Sequence, residues 1–161
     1  MGENRLSFRL AEKKDAGLLL YFIKSLAEYE NMLDEVVATE EVLIEWVFEK
    51  QKAEALLVME DGNEIGFALF FHNFSTFLGR SGLYLEDLYI MPEQRGKGYG
   101  KATLKRLAQI ALERECGRLE WVCLDWNKPS IDLYLSLGAK ALKEWTIYRL
   151  EGNALKTVAE I

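Results

Sequence analysis

Two stretches of this 161-residue chain combine residue types and spacings suited to chemistry. The first is "RGKGYG", in which Arg95, Lys97 and Tyr99 alternate with Gly96, Gly98 and Gly100, and Lys101 follows. Glycines let backbone N–H groups turn toward a pyrophosphate, and a helix N-terminus adds partial positive charge. The second is "LYLED", which ends in two carboxylates, Glu86 and Asp87. An aliphatic amine has a pKa of about 10.4 and arrives protonated, so a carboxylate beside it can hold the cation and take its proton. Strict strand alternation puts Asp87 on the opposite face from Glu86, so the two are not expected to share that work from one face.

Other phosphate-binding templates fail at named positions. A Walker A loop ending at Gly100 and Lys101 finds Arg95 where it needs its first glycine and Ala102 where it needs Ser or Thr. The dinucleotide fingerprint read from Gly96 meets Lys101 at its third glycine. The pattern that fits is Gln/Arg-x-x-Gly-x-Gly/Ala, met by Arg95, Gly98 and Gly100. A single histidine, His72, and two cysteines, Cys116 and Cys123, in unsuitable spacing argue against a metal site and against a thiol nucleophile.

These residues need elements to position them. "RLSFRLA" alternates as a strand over Arg5–Leu10. Asp15 is in place to cap a helix carrying Leu18, Leu19, Phe22, Ile23 and Leu26 and ending near Tyr29, and Thr39 to cap a second helix. "AEALLVME" and "EIGFALFFHNF" read as a hairpin through Asp61–Asn63, with "SGLYLEDLYIM" as the next strand. After the glycines, Leu104, Leu107, Ala108, Ala111 and Leu112 share a helical face, and Gly117 sits at a C-cap position. "RLEWVCLDW", "NKPSIDLYLSLGA" and "EWTIYRL" read as strand, short helix and final strand, which gives the order βααβββαβαβ.

Half of the residues are hydrophobic, enough for one core, so 1–161 reads as a single α/β domain. A net charge of −6 without a basic cluster argues against nucleic acid and suits a small cationic partner. No apolar run is long enough for a bilayer, and the charged start "MGENRLSFRL" lacks the core of a leader, so a cytoplasmic protein with no membrane partner is expected.

"RGKGYG", followed some thirty residues on by "NKPSIDLYLSLGA" with Asn127, Tyr134, Gly138 and Ala139, resembles the GNAT superfamily of N-acetyltransferases. "SLAEYENM", "EIGFALFF", "LYLEDLYIMPEQRGKGYG" and "WNKPSIDLY" resemble its spermidine/spermine (diamine) branch, over about Phe8 to Leu150. The resemblance implies a mixed, mostly antiparallel sheet, splayed at the strand that carries acetyl-CoA and flanked by helices. It implies acetyl-CoA as co-substrate, no metal, and direct transfer to an amine in a ternary complex. Carried over residue by residue, Glu86 is the base and Tyr134 the acid that protonates the leaving thiolate. Leu88, Tyr89 and Ile90 line acetyl-CoA beside a backbone N–H for the oxyanion. Arg95, Gly96, Lys97, Gly98, Tyr99, Gly100 and Lys101 cradle its pyrophosphate, with Asn127, Ser130 and Tyr134 completing the site. Tyr29, Glu30 and Glu86 bind the amine, and a homodimer is implied, with "EWTIYRL" as a contributor.

The match departs at Leu33, Ser75 and Phe77, which stand where the polyamine enzymes carry two acids and a tryptophan. Asp34, Glu35 and Glu144 are the acids available to compensate. A small amine such as spermidine or thialysine is therefore the expected acceptor. A protein lysine or N-terminus, or acetyl-CoA sensing without turnover, are the alternatives.

Overall fold

The computed structural model describes residues 5–161. Residues 1–4, part of the charged start, lie outside the described residues. Two compact units are present, residues 5–122 and Cys123–Ile161.

The first unit is built on a five-stranded sheet in the order β1-β2-β3-β4-β5. Its strands are β1 (Leu6–Leu10), β2 (Glu54–Glu60), β3 (Asn63–Ser75), β4 (Arg80–Ile90) and β5 (Leu119–Trp121). Neighbours pair antiparallel except β4 and β5, which are parallel, so the sheet is mixed and mostly antiparallel as expected. Three helices accompany it: α1 (Ala16–Tyr29), α2 (Glu40–Leu43, continuing as a π-helical stretch Ile44–Glu49) and α3 (Tyr99–Glu113).

The apolar stripe of α1 forms one core. Leu19 and Phe22 are fully buried against Leu57, Met59, Phe67 and Tyr89. Phe22 lies 5.9 Å, ring centre to ring centre, from both Phe67 and Tyr89. Burying such a side chain stabilises by about 1.5–3 kcal/mol. The opposite face of the sheet gathers Val58, Ile65 and Ile90 with Phe8 and Tyr99. On α3 the buried stripe runs through Thr103, Leu104, Leu107, Ile110 and Ala111. Ala108 and Leu112, expected on that face, are exposed, because Ile110 takes the inward position.

The β2–β3 hairpin turns at Asp61 and Gly62, whose φ values of 50° and 81° are those of a tight hairpin turn. Asn63 already belongs to β3.

β3 and β4 are shifted in register at one point. Leu69 faces Asp87 and Phe70 faces Leu85, so Glu86 is an extra residue, a β-bulge. At the same level β4 loses its other neighbour. β5 pairs only with Leu83–Leu85, whereas β3 continues to Ile90. The edge of β4 from Glu86 onward is therefore free of β5, which is the expected splay.

Two local expectations are corrected and one holds. Asp15 sits at the N-cap of α1 but does not cap it; its carboxylate accepts from Arg9 at 2.8 and 2.9 Å and from the Glu12 N–H at 2.7 Å, in the capping box of the turn before α1. Thr39 does cap α2, accepting from the Val42 N–H at 3.2 Å. Gly117 is not a left-handed cap; Glu115 takes that conformation at φ 58°. Gly117 instead runs close to Leu78, where an added Cβ would come within 2.7 Å of Cδ1.

The second unit holds α4 (Lys128–Ser136) and α5 (Gly152–Ala159). The expected final strand "EWTIYRL" is not a strand. A strand exists by pairing, and no ladder among the described residues includes 144–150. For the same reason the expected strand "RLEWVCLDW" shortens to Leu119–Trp121.

Candidate functional site

The bulge at Glu86 rewrites the sequence reading of the acid pair. Asp87 lies opposite Leu69, and Tyr89 opposite Phe67, both on the face that α1 covers. Leu85 lies opposite Phe70 on the other face, so the extra residue breaks the alternation between Leu85 and Asp87, and Glu86 is near enough for its charge to act on Asp87. The strict alternation on which the separation of Glu86 and Asp87 rested does not hold here. The physical error was to assume an unbroken pleat, and no residue in "LYLED" signals the break.

Glu86 is exposed and Asp87 half-buried. Burial, with the nearby charges of Glu86 and then Glu30, pushes the Asp87 carboxyl up to about 6. Glu30, just past the end of α1, is also raised by burial. Burial foremost, then Glu86 and Glu120, raises the Tyr84 phenol on the same strand. Two desolvated carboxylates beside a third make a site that favours a cation. Asp87 was the residue missed.

The glycine loop begins where β4 ends. After the turn Pro92–Gln94 the chain is extended at Arg95, and Gly96 and Gly98 adopt φ 79° and 80°. These left-handed values favour glycine. An added Cβ at Gly96, Gly98 or Gly100 would meet nothing within 4 Å, so the loop presents bare backbone to open space. α3 starts directly afterwards, and the first-turn N–H groups of Tyr99, Gly100 and Lys101 have no intrahelical acceptor by construction. That geometry fits a pyrophosphate, the group that the expected acetyl-CoA would place here.

The loop's cations differ in placement. Arg95 donates from Nε to the Ile90 carbonyl at 2.9 Å. Its guanidinium lies 4.9 Å from the Tyr29 ring and 5.5 Å from the Tyr89 ring, so it ties α1 to the end of β4. Lys97 donates to Glu60 at 3.1 Å, and Lys101 is exposed. Leu88 is half-buried, whereas Tyr89 and Ile90 are buried at the splayed end of β4.

In the second unit, α4 opens after Asn127 with Pro129 in its first turn and carries Ser130 and Tyr134. It closes at Gly138, whose φ is 90°. Of the departures, Ser75 is buried and caps its own turn, its Oγ accepting from the Leu78 N–H at 3.1 Å. Ser75 is thereby a turn residue. Phe77 is fully exposed and Leu33 partly so.

Among the described residues, no group of His, Cys, Asp and Glu is arranged to hold a metal, and no helix is long and apolar enough to cross a membrane.

Comparison with known proteins agrees with this geometry. The model of the Acetyltransferase (GNAT) family matches residues 20–139. A thialysine N-epsilon-acetyltransferase of Bos taurus is 39% identical, over 94% of this chain and 95% of its own. The human spermidine/spermine N(1)-acetyltransferase-like protein 1 is 33% identical over 94% of this chain, though only 23% of that longer protein is covered. Among solved structures, an integron cassette protein from the mobile metagenome of V. cholerae superimposes with a TM-score of 0.81 at 28% identity, covering 99% of this chain and 100% of that one.

Proposed function

The chain belongs to the acetyltransferase (GNAT) family and is an acyltransferase, and on that premise we propose that it transfers acetyl from acetyl-CoA to the primary amine of a small cation. The acceptor is of the thialysine, diamine or polyamine kind, attacked directly in a ternary complex. The observation that carries this reading is the cluster of Glu30, Glu86 and Asp87, whose charges act on one another at the level where β4 parts from β5. The names of the thialysine and spermidine/spermine relatives support it.

In this reading Glu30 and Asp87 hold the ammonium, Tyr29 walls the pocket, and Glu86, the most solvated of the three acids, receives the proton that attack requires. The β4 edge beyond Leu85 supplies a backbone N–H for the oxyanion, a donor already oriented by its strand. Leu88, Tyr89 and Ile90 line the acyl arm, and the loop Arg95 to Lys101 takes the pyrophosphate on its amides. Asn127 and Ser130 complete cofactor binding, and Tyr134 protonates the departing thiolate. The working form is a cytoplasmic homodimer.

The test is release of free CoA thiol from acetyl-CoA with putrescine, spermidine, spermine, thialysine, lysine and a lysine-containing peptide. Release that depends on a small amine is the expected result. Release with the peptide alone would make a protein the acceptor. No release with any of them, despite tight acetyl-CoA binding, would make the protein a sensor.

A further inference from the structure

Glu60 stands outside every role assigned so far. It is the last residue of β2, facing Leu6 of β1 and Asn63 of β3, and its side chain is only 11% exposed. A carboxylate that is nearly buried needs partners. Two of them come from the glycine loop. The Tyr99 hydroxyl and the Lys97 ammonium, the latter at 3.1 Å, both donate to Oε2 of Glu60. Arg5 approaches the other oxygen at 3.6 Å and is itself bound to Asp61 at 3.1 Å. Lys97 and Tyr99 are the two residues that flank Gly98, the left-handed position from which α3 starts.

We propose that Glu60 is a positioning residue for acetyl-CoA: by holding Lys97 and Tyr99 from below it fixes the backbone around Gly98, so that the loop's amides are aimed before the cofactor arrives. This inference rests on the reading of Arg95 to Lys101 as the acetyl-CoA loop. Physically, glycines make such a loop adaptable but also costly to order on binding. A charged anchor bonded to both flanking side chains removes part of that cost in advance. Lys97 is then a strut whose charge is matched by Glu60, and the pyrophosphate is met by amides, Lys101 and the N-terminus of α3. Because the anchor lies at the end of β2, it acts on the cofactor loop without touching the amine site on the α1 face.

The experiment is steady-state kinetics with both substrates varied for Glu60→Ala, Glu60→Gln, Tyr99→Phe and, as a control on the loop itself, Gly98→Ala. Glu60→Ala is expected to raise KM for acetyl-CoA about tenfold, while kcat at saturation and KM for the amine stay within about twofold. Glu60→Gln, which keeps an acceptor, should recover most of that loss, and Tyr99→Phe should raise the same KM about threefold. An unchanged or lowered KM for acetyl-CoA in Glu60→Ala, with Gly98→Ala raising it, overturns the positioning role and leaves the loop assignment standing. If Gly98→Ala also leaves KM unchanged, it is the loop assignment that falls. Should Glu60→Ala not fold, Tyr99→Phe decides: an unchanged KM for acetyl-CoA there counts against the anchor.

Discussion

Asp87 is the residue whose surroundings say most about the acceptor. A carboxyl raised to about 6 is stabilised in its protonated form by the fold, where the unfolded chain has its ordinary value of about 3.9. Its contribution to stability is therefore fully present below pH of about 4 and is lost as pH rises through about 6. At pH 7 to 8 the ionised group is a burden that Asp87→Asn removes. Allowing for its partial exposure, that is on the order of 1 kcal/mol, or roughly 2–4 °C in Tm. A calorimetric Tm for Asp87→Asn no higher than the parent's at pH 8 would contradict this. A cationic amine reverses the preference, because a positive charge lowers the pKa of a neighbouring carboxyl. Amine binding at pH 6 is thus expected to release a fraction of a proton, detectable as a buffer-dependent heat, and Asp87→Asn to abolish that release. Tyr134→Phe belongs to the chemical step: turnover should fall at least tenfold with acetyl-CoA affinity nearly unchanged, and an unaltered rate would remove Tyr134 as the acid.

At the scale of elements, two glycines separate what holds the fold from what serves the site. An added Cβ at Gly66 would lie 2.1 Å from the Tyr89 carbonyl oxygen, backbone against backbone, so β3 and β4 must part there. Gly66→Ala should cost several kcal/mol in denaturant unfolding, a larger loss than a typical substitution of about 1 kcal/mol. At Gly98 an added Cβ meets open space, and only the left-handed φ of 80° is strained, about 1–2 kcal/mol. Gly98→Ala should therefore lose only about 1–2 kcal/mol in the same measurement, less than Gly66→Ala, while binding acetyl-CoA less well. Two signals of this kind were legible in the sequence. The glycine spacing of the loop and the Asn127, Tyr134, Gly138 pattern are local, and local patterns survive folding. The alternation of β1 to β4 and the stripe of α1 were legible for the same reason. The bulge at Glu86 was not, because it is a mismatch between two strands and neither strand encodes it alone. Nor was the fate of "EWTIYRL", whose alternation is that of a strand while pairing depends on an edge elsewhere. Glu60 was hidden differently, since its partners Lys97 and Tyr99 lie 37 and 39 residues away along the chain.

For the whole molecule, the second unit poses a question of assembly. Trp145, Ile147, Tyr148 and Leu150 are exposed by 77%, 69%, 92% and 50%, in a stretch that carries strand-like alternation and no ladder. Water does not favour that much apolar surface, and an unpaired extended segment seeks a sheet edge. A second copy of the chain is the occupant that the expected homodimer supplies, and two-fold symmetry would bury the same segment twice. A stable interface needs about 800 Å² from each partner, which several large aromatic and aliphatic side chains can largely provide. Light scattering after size exclusion should then report twice the 18.5 kDa chain mass. The double variant Trp145→Ser with Tyr148→Ser should shift it toward the monomer at micromolar concentration. The amine kinetics of that variant carry a further consequence: if the substrate site lies near the interface, KM for the amine should rise on dissociation, whereas the acidic cluster of Glu30, Glu86 and Asp87 within one chain predicts some residual amine recognition. A parent protein that runs as a monomer at all concentrations would leave the exposed aromatic segment to another partner and remove the homodimer from the proposal.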